Sequence, residues 1–167
     1  MTLIGLQCFF IPAFASGPVR KRIFTENFMN YFVDLHKEEL KHSQTQDEPI
    51  KSTSKGYPDH GSGVHSMKLS YRDWFDFNNA VRVHMNLIEQ LPLIMVLLVL
   101  AGLKSPFVTL ICAIVYFLLR IVFAVGYFKF APSYRIYATL PMLLLKILLL
   151  VYSFQTVHAV CQYGSQK

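Results

Sequence analysis

Charged residues are scarce in this sequence. Asp, Glu, Lys and Arg make up 16% of the 167 residues, whereas hydrophobic residues make up 53%. Soluble domains carry about 25% charged and about 45–50% apolar residues, so both departures indicate a protein of the lipid bilayer. The chain also lacks a CxxC pair, because its cysteines stand far apart at Cys8, Cys112 and Cys161. This spacing disfavours a disulfide framework or a zinc site and predicts small apolar fillers.

The net charge of +6 raises the question of a nucleic-acid partner. The basic residues form no arginine-rich stripe, however, and most of them lie in one loop between apolar segments, so no nucleic acid is expected. Asp59, His60 and His65 could be taken as metal ligands. They stand in a glycine-rich turn without a fourth ligand, and no metal site is predicted.

Four apolar segments predict four membrane spans. They cover residues 2–16, 73–103, 106–130 and 134–157. The last three are long enough to cross a bilayer, which takes about 20 residues, whereas the first is short. We therefore expect a short first span in residues 1–17, an amphipathic helix and long loop in residues 18–72, and three spans in residues 73–167.

The first segment has a rival interpretation as a signal peptide, since Ala13-Phe14-Ala15 resembles a cleavage site. No positive charge precedes the apolar run, however, and Arg20, Lys21 and Arg22 follow it. A basic flank after the apolar run favours a retained span.

Residues 23–40 have apolar side chains at three- and four-residue spacing, which predicts an amphipathic helix. These side chains are Phe24, Phe28, Tyr31, Phe32 and Leu35. Beside a span, such a helix either lies along the membrane interface or packs on a partner protein. Residues 41–72 are polar and rich in glycine and proline, and a loop of this length is usually functional or disordered.

The basic residues also predict the orientation. The loops on one side hold eleven of them, and the other side holds only Lys104 and Lys167. The eleven are Arg20, Lys21, Arg22, Lys37, Lys41, Lys51, Lys55, Lys68, Arg72, Lys129 and Arg135. The positive-inside rule then turns both termini away from the cytosol or its equivalent, and any chemistry is expected near the basic face.

Ionisable groups inside spans are costly and indicate function. Arg82, Asn86 and Glu89 stand at positions i, i+4 and i+7 and share one helix face, while His84 lies off that face. A zwitterionic ligand would suit this set, because its carboxylates would meet the arginine and its ammonium the glutamate. The alternative is an internal ion pair between Glu89 and Arg120 that joins two spans. The residues alone leave both open.

The third segment places Arg120, Phe123 and Tyr127 on one face. Arg135 follows in the next turn, where it can point back along the helices or extend toward lipid phosphates. Lys146 lies inside the fourth segment. Intramembrane charges would also suit a small transporter or channel, but the sequence has no inverted repeat.

Three strings resemble one known family. Residues 82–89 (RVHMNLIE) are similar to the R-x-H-x-N-x-x-E signature of microsomal glutathione transferases. Residues 120–127 (RIVFAVGY) are similar to that family's R-x-x-Y-x-x-G-Y, and residues 132–135 (PSYR) to its P-S-x-R turn. The family is MAPEG, the membrane-associated proteins in eicosanoid and glutathione metabolism.

The resemblance implies an all-α membrane four-helix bundle that assembles as a homotrimer, in the endoplasmic reticulum or a mitochondrial membrane. Glutathione, as co-substrate, would bind between subunits and attack a lipophilic electrophile. By the resemblance, Arg82, Asn86 and Glu89 would hold the tripeptide's charged ends, and His84 of the same motif would also belong to the glutathione site. Arg120 and Tyr127 would support it, and Arg135 would stabilise its thiolate.

The chain departs from the family pattern at several positions. Phe123 stands where a tyrosine is usual, Gln90 differs from common choices, and Lys146 is an additional intramembrane charge. The resemblance thus implies a glutathione transferase or glutathione peroxidase. The alternative is a catalytically inactive accessory subunit of a larger membrane complex, such as a mitochondrial respiratory assembly.

Overall fold

The computed structural model describes residues 1–33, 35, 38, 59–130 and 132–165. In these residues every regular element is helical and no strand occurs. The α-helices are α1 (Thr2–Ile11), α2 (Gly17–Ile23), α3 (Glu26–Asn30), α4 (Tyr71–Lys104), α5 (Pro106–Lys129) and α6 (Ile136–Ser165). A π-helical turn, Pro12–Ser16, joins α1 to α2, and 3-10 turns cover Ser66–Lys68 and Pro132–Arg135.

Four helical stretches are long and apolar enough to cross a membrane: Thr2–Ile23, Tyr71–Lys104, Pro106–Lys129 and Pro132–Ser165. The prediction of an all-α, multi-pass membrane protein with four spans is confirmed. The first stretch runs further than the sequence pattern suggested, to Ile23. The chain can continue past Pro18 because this proline stands in the first turn of α2, where its missing N–H needs no helical partner.

The chain divides into two compact units, Met1–Pro12 with Arg82–Lys167, and Ala13–Val81. In the first, which we call the membrane unit, α5 buries one stripe of side chains at three- and four-residue spacing. This stripe consists of Thr109, Cys112, Tyr116, Arg120, Phe123 and Tyr127. Most large apolar side chains on the remaining faces of α4, α5 and α6 are exposed, as is expected of surfaces that face lipid rather than water.

Polar side chains link the helices of the membrane unit. Gln7 of α1 donates to the carbonyl oxygen of Phe117 in α5 at 3.1 Å. Lys146 of α6 donates through Nζ to Oε1 of Gln90 in α4 at 2.5 Å. Two departures from the family pattern, Gln90 and Lys146, therefore form one interhelical hydrogen bond.

The second unit packs Phe24, Met29 and Phe77 into its own apolar cluster. Here α3 begins at Glu26, because Thr25 caps it by accepting a hydrogen bond from the Phe28 backbone N–H at 3.4 Å. The amphipathic helix predicted over residues 23–40 lies partly outside the described residues. So does most of the long loop.

Within the second unit, residues 59–66 form a tight turn around the carboxylate of Asp59. This carboxylate accepts hydrogen bonds from the backbone N–H groups of Gly61 (2.8 Å) and Ser66 (2.9 Å) and from the Ser66 hydroxyl. Gly61 has a φ of +100°, a conformation that favours glycine. Trp74 donates through Nε1 to the Gly61 carbonyl oxygen at 2.8 Å and so ties the turn to α4.

Candidate functional site

A cavity of about 540 Å³ opens on the membrane unit. Helices α4 and α5, the 3-10 turn and the start of α6 form its walls. It is lined by Arg82, Met85, Asn86, Glu89, Phe123, Tyr127, Arg135 and Thr139. A volume of this size lies within the range of about 300–1,000 Å³ that is typical of small-molecule sites.

The family resemblance assigned seven side chains to the glutathione site. Five of them line this cavity: Arg82, Asn86, Glu89, Tyr127 and Arg135. The helical repeat explains the first three, which follow one another along a single face of α4. The short turn after α5 brings Arg135 back to the same wall. Strings that are far apart in the sequence therefore meet in one place.

Arg120 does not line the cavity. It is only 1% exposed, and its Nη1 donates to Oδ1 of Asn86 at 2.8 Å. Its guanidinium also lies 4.9 Å from the centre of the Phe123 ring. Because Oδ1 of Asn86 is engaged, the amide of Asn86 presents two N–H donors for other partners. Arg120 thus acts on the cavity through Asn86.

The alternative ion pair between Glu89 and Arg120 is wrong for this structure. Arg120 donates to a neutral amide instead, and Glu89 makes no hydrogen bond or ion pair within the described part of the chain. His84 is half-buried and is absent from the cavity wall. The geometry therefore separates His84 from the other side chains of its motif.

The charged side chains in the cavity form no ion pairs with one another. The side chains of Arg82, Glu89 and Arg135 are exposed, and no ion pair joins them among residues 59–130 and 132–165. The cavity thus offers two guanidinium groups, one carboxylate, amide donors and the Tyr127 phenol. Arginine holds carboxylates with paired N–H donors, and a carboxylate accepts from an ammonium. This set complements a zwitterion with more than one carboxylate.

Sequence reasoning missed two side chains of the cavity. Met85 stands three residues after Arg82 and four before Glu89, and this spacing could have identified it as part of the wall. Thr139 stands four residues after Arg135 and donates through its hydroxyl to the Arg135 carbonyl oxygen at 2.9 Å. Thr139 thereby fixes the backbone that carries Arg135.

The basic flank of the first span and the Asp59 turn lie in the second unit. Arg22 pairs with Asp76 at 2.6 Å, and Arg20 donates to the Asp59 carbonyl oxygen at 3.2 Å. His65 lies 4.0 Å from the Asp59 carboxylate, which is already hydrogen-bonded within its turn. Among the described residues, no group of three or more His, Cys, Asp or Glu side chains could hold a metal ion.

Comparison with known proteins gives one match. No curated protein and no solved structure matches the chain. A model of the MAPEG family matches residues 48–155, which include α4, α5, the turn that carries Arg135 and much of α6. The match covers well over half of the sequence, and the chain belongs to the MAPEG family.

Proposed function

We propose that this protein is a membrane-bound glutathione transferase. The same thiolate would also suit a glutathione peroxidase, in which a lipid hydroperoxide is reduced to the alcohol and water while two glutathione molecules are oxidised to the disulfide. The observation that carries the proposal is the cavity itself. Arg82, Glu89 and Arg135 meet in it without pairing to one another, and Asn86 adds amide donors. Glutathione carries two carboxylates, one ammonium and a thiol, so its charges match this set. Members of the MAPEG family generally use glutathione, which further supports the proposal.

In this proposal Arg82, Asn86 and Glu89 hold the charged ends of the tripeptide. Arg120 keeps Asn86 oriented by engaging its Oδ1, so that its N–H groups face the ligand. Tyr127 supports the ligand from α5. These groups are held on helices, which position side chains more precisely than loops do.

Arg135 has the catalytic role in the proposal. The thiolate, rather than the thiol, is the nucleophile, and a nearby positive charge favours the ionised form. The Arg135 guanidinium lines the cavity from the turn after α5 and offers a planar fork of N–H donors. Preorganised charge of this kind commonly contributes about 10²–10³ in rate. The second substrate would be a lipophilic electrophile that meets the thiolate beside the apolar walls of Met85 and Phe123.

The second candidate function is an inactive accessory subunit of a larger membrane complex. Phe123 favours it, because phenylalanine stands in the cavity wall where the family usually supplies a tyrosine hydroxyl. For the transferase, we further propose a homotrimeric assembly, which the family suggests. We also propose a location in the endoplasmic reticulum or a mitochondrial membrane.

One experiment separates the two functions. Purified protein is titrated with glutathione by calorimetry, and the ultraviolet absorbance of the bound thiolate is recorded. A transferase binds glutathione and shows the thiolate signal at neutral pH. A protein that binds no glutathione and gives no signal is the accessory subunit.

A further inference from the structure

A second cavity lies at the other end of the membrane unit. It has a volume of about 360 Å³ and is lined by Lys104, Phe154, Gln155, His158, Ala159 and Gln162. Lys104 stands 22 residues after Arg82 on the same helix, a distance of about 33 Å at 1.5 Å per residue. The hydrocarbon core of a bilayer is about 30 Å thick, so the two cavities lie at opposite membrane interfaces.

The four polar side chains of this cavity all offer N–H donors. Lys104 supplies an ammonium, the His158 ring supplies an N–H in either charge state, and the amides of Gln155 and Gln162 supply further N–H groups. Gln155, His158 and Gln162 stand at positions i, i+3 and i+7 and therefore share one face of α6. Phe154 adds an apolar wall and is 66% exposed.

Among the described residues that line this cavity, none is acidic. None of the ten Asp and Glu residues of the sequence lies in residues 1–25 or 90–167, which supply the helix ends on this side. The first cavity, by contrast, holds Glu89 and accommodates both signs of charge. A cavity with a lysine, three N–H donors and no carboxylate selects an anion.

We propose that this cavity binds the phosphate group of an anionic phospholipid. At a membrane interface the lipid phosphodiester is an abundant anion, and cationic and N–H donors form charge-assisted hydrogen bonds with its oxygens. Lys104 and His158 would donate to the phosphate oxygens, and Phe154 would contact the glycerol and acyl chains. The proposal concerns the interface opposite Arg135 and is independent of the glutathione chemistry.

The test uses purified full-length protein in an uncharged detergent. Dioctanoyl phosphatidylglycerol and dioctanoyl phosphatidylcholine are titrated separately, and retention is measured by native mass spectrometry. Both lipids carry a phosphodiester, but the choline of phosphatidylcholine adds a positive charge that Lys104 repels, so the anionic lipid should bind about tenfold more tightly. Lys104→Gln, which removes the positive charge, and His158→Leu, which removes the ring N–H donor, should each remove most of this preference. Lys129→Gln, which changes an exposed lysine at the other end of α5, should leave it intact.

Lys104 is exposed at the end of α4, so its substitution is expected to leave folding unchanged, and the thermal midpoint without lipid checks this. His158→Leu gives an independent measurement. Equal binding of the two lipids, or equal behaviour of the Lys104 and Lys129 variants, overturns the proposal. Inorganic phosphate forms the third arm. If it binds as tightly as phosphatidylglycerol, the ligand is the free ion and the lipid assignment is wrong.

Discussion

Two carboxylates of this protein have opposite surroundings. Asp59, in the second unit, accepts hydrogen bonds from the backbone N–H groups of Gly61 and Ser66 and from the Ser66 hydroxyl. Glu89, in the membrane unit, is exposed in the cavity and has no partner within the described residues. Both were candidates for chemistry in the sequence. Only Glu89 keeps its oxygens available.

The difference indicates how to separate a structural polar group from a functional one. A carboxylate that accepts hydrogen bonds from its own segment stabilises that segment, and its removal leaves the N–H and O–H donors without an acceptor. Glu89 lies on a helix beside Arg82 and Arg135, and none of the three has an ion-pair partner among the described residues. Such a carboxylate makes no comparable contribution to the fold, and its oxygens can accept hydrogen bonds from a ligand. The following experiments test this contrast between the Asp59 turn and the cavity.

The largest expected effect concerns which side of the membrane each loop faces, and labelling of a given cysteine should be all-or-none. His60→Cys, in a background where Cys8, Cys112 and Cys161 are replaced by Ser, should react with an impermeant maleimide only from the basic side. The native Cys161, which is exposed near the end of α6, should react only from the opposite side. The charge asymmetry of the loops is the reason. Labelling of both positions from one side would rule out four spans.

Substitution of Arg135 should have the next largest effect. Arg135→Ala should lower the turnover rate by about 10²-fold with little change in glutathione affinity, because its proposed task is ionisation of the thiol. The thiolate absorbance should disappear as well. Arg135→Lys should restore only part of the rate, since an ammonium lacks the planar fork of donors. Lys129→Ala is the matched control, and an unchanged rate in Arg135→Ala contradicts the catalytic role.

Substitutions of Arg82 and Glu89 should act on affinity. Arg82→Ala and Glu89→Gln should each weaken glutathione binding by about tenfold, the effect expected from one charge-assisted hydrogen bond. Neither should lower the thermal midpoint in detergent, because neither side chain has a hydrogen-bond or ion-pair partner among the described residues. Arg72→Ala, ten residues earlier on α4 and exposed, is the control. A lower midpoint with unchanged binding would mean that these residues support the helices.

The smallest expected effect concerns pH and the Asp59 turn. Burial raises the pKa of Asp59, but the hydrogen bonds from Ser66, Gly61 and Gly63 outweigh it, so the pKa lies below its ordinary value of 3.8. The contribution of ionised Asp59 to the stability of the folded state is therefore complete above pH 3.8, the ordinary pKa of this carboxyl. It is lost as the pH falls through the lowered pKa of Asp59 in the folded protein. The single tryptophan, Trp74, is bonded to this turn, and its fluorescence should change in that acidic range.

Two variants check the assignment of that acid transition. Asp59→Asn should abolish the transition, whereas Asp76→Asn should keep it, because Asp76 pairs with Arg22 outside the turn. Glutathione binding at neutral pH should be the same in both variants. A transition that persists in Asp59→Asn would assign it to another group.

Much of the fold was predictable because its signals are local. A run of about 20 apolar residues needs no partner to be recognised as a span, and the family signature repeats fixed spacings. The extent of the first stretch was less predictable. Its continuation to Ile23 depends on a π-helical turn and on the placement of Pro18, which hydropathy does not report.

The sequence by itself determined the four spans, the family and the shared face of Arg82, Asn86 and Glu89, since helical periodicity and hydropathy are properties of neighbouring residues. Only the tertiary structure decided which polar groups pair across helices. It directs Arg120 to Asn86 and Lys146 to Gln90, and it leaves Glu89 available. These choices depend on distances between residues 34 and 56 positions apart, which helix packing sets and local spacing does not encode.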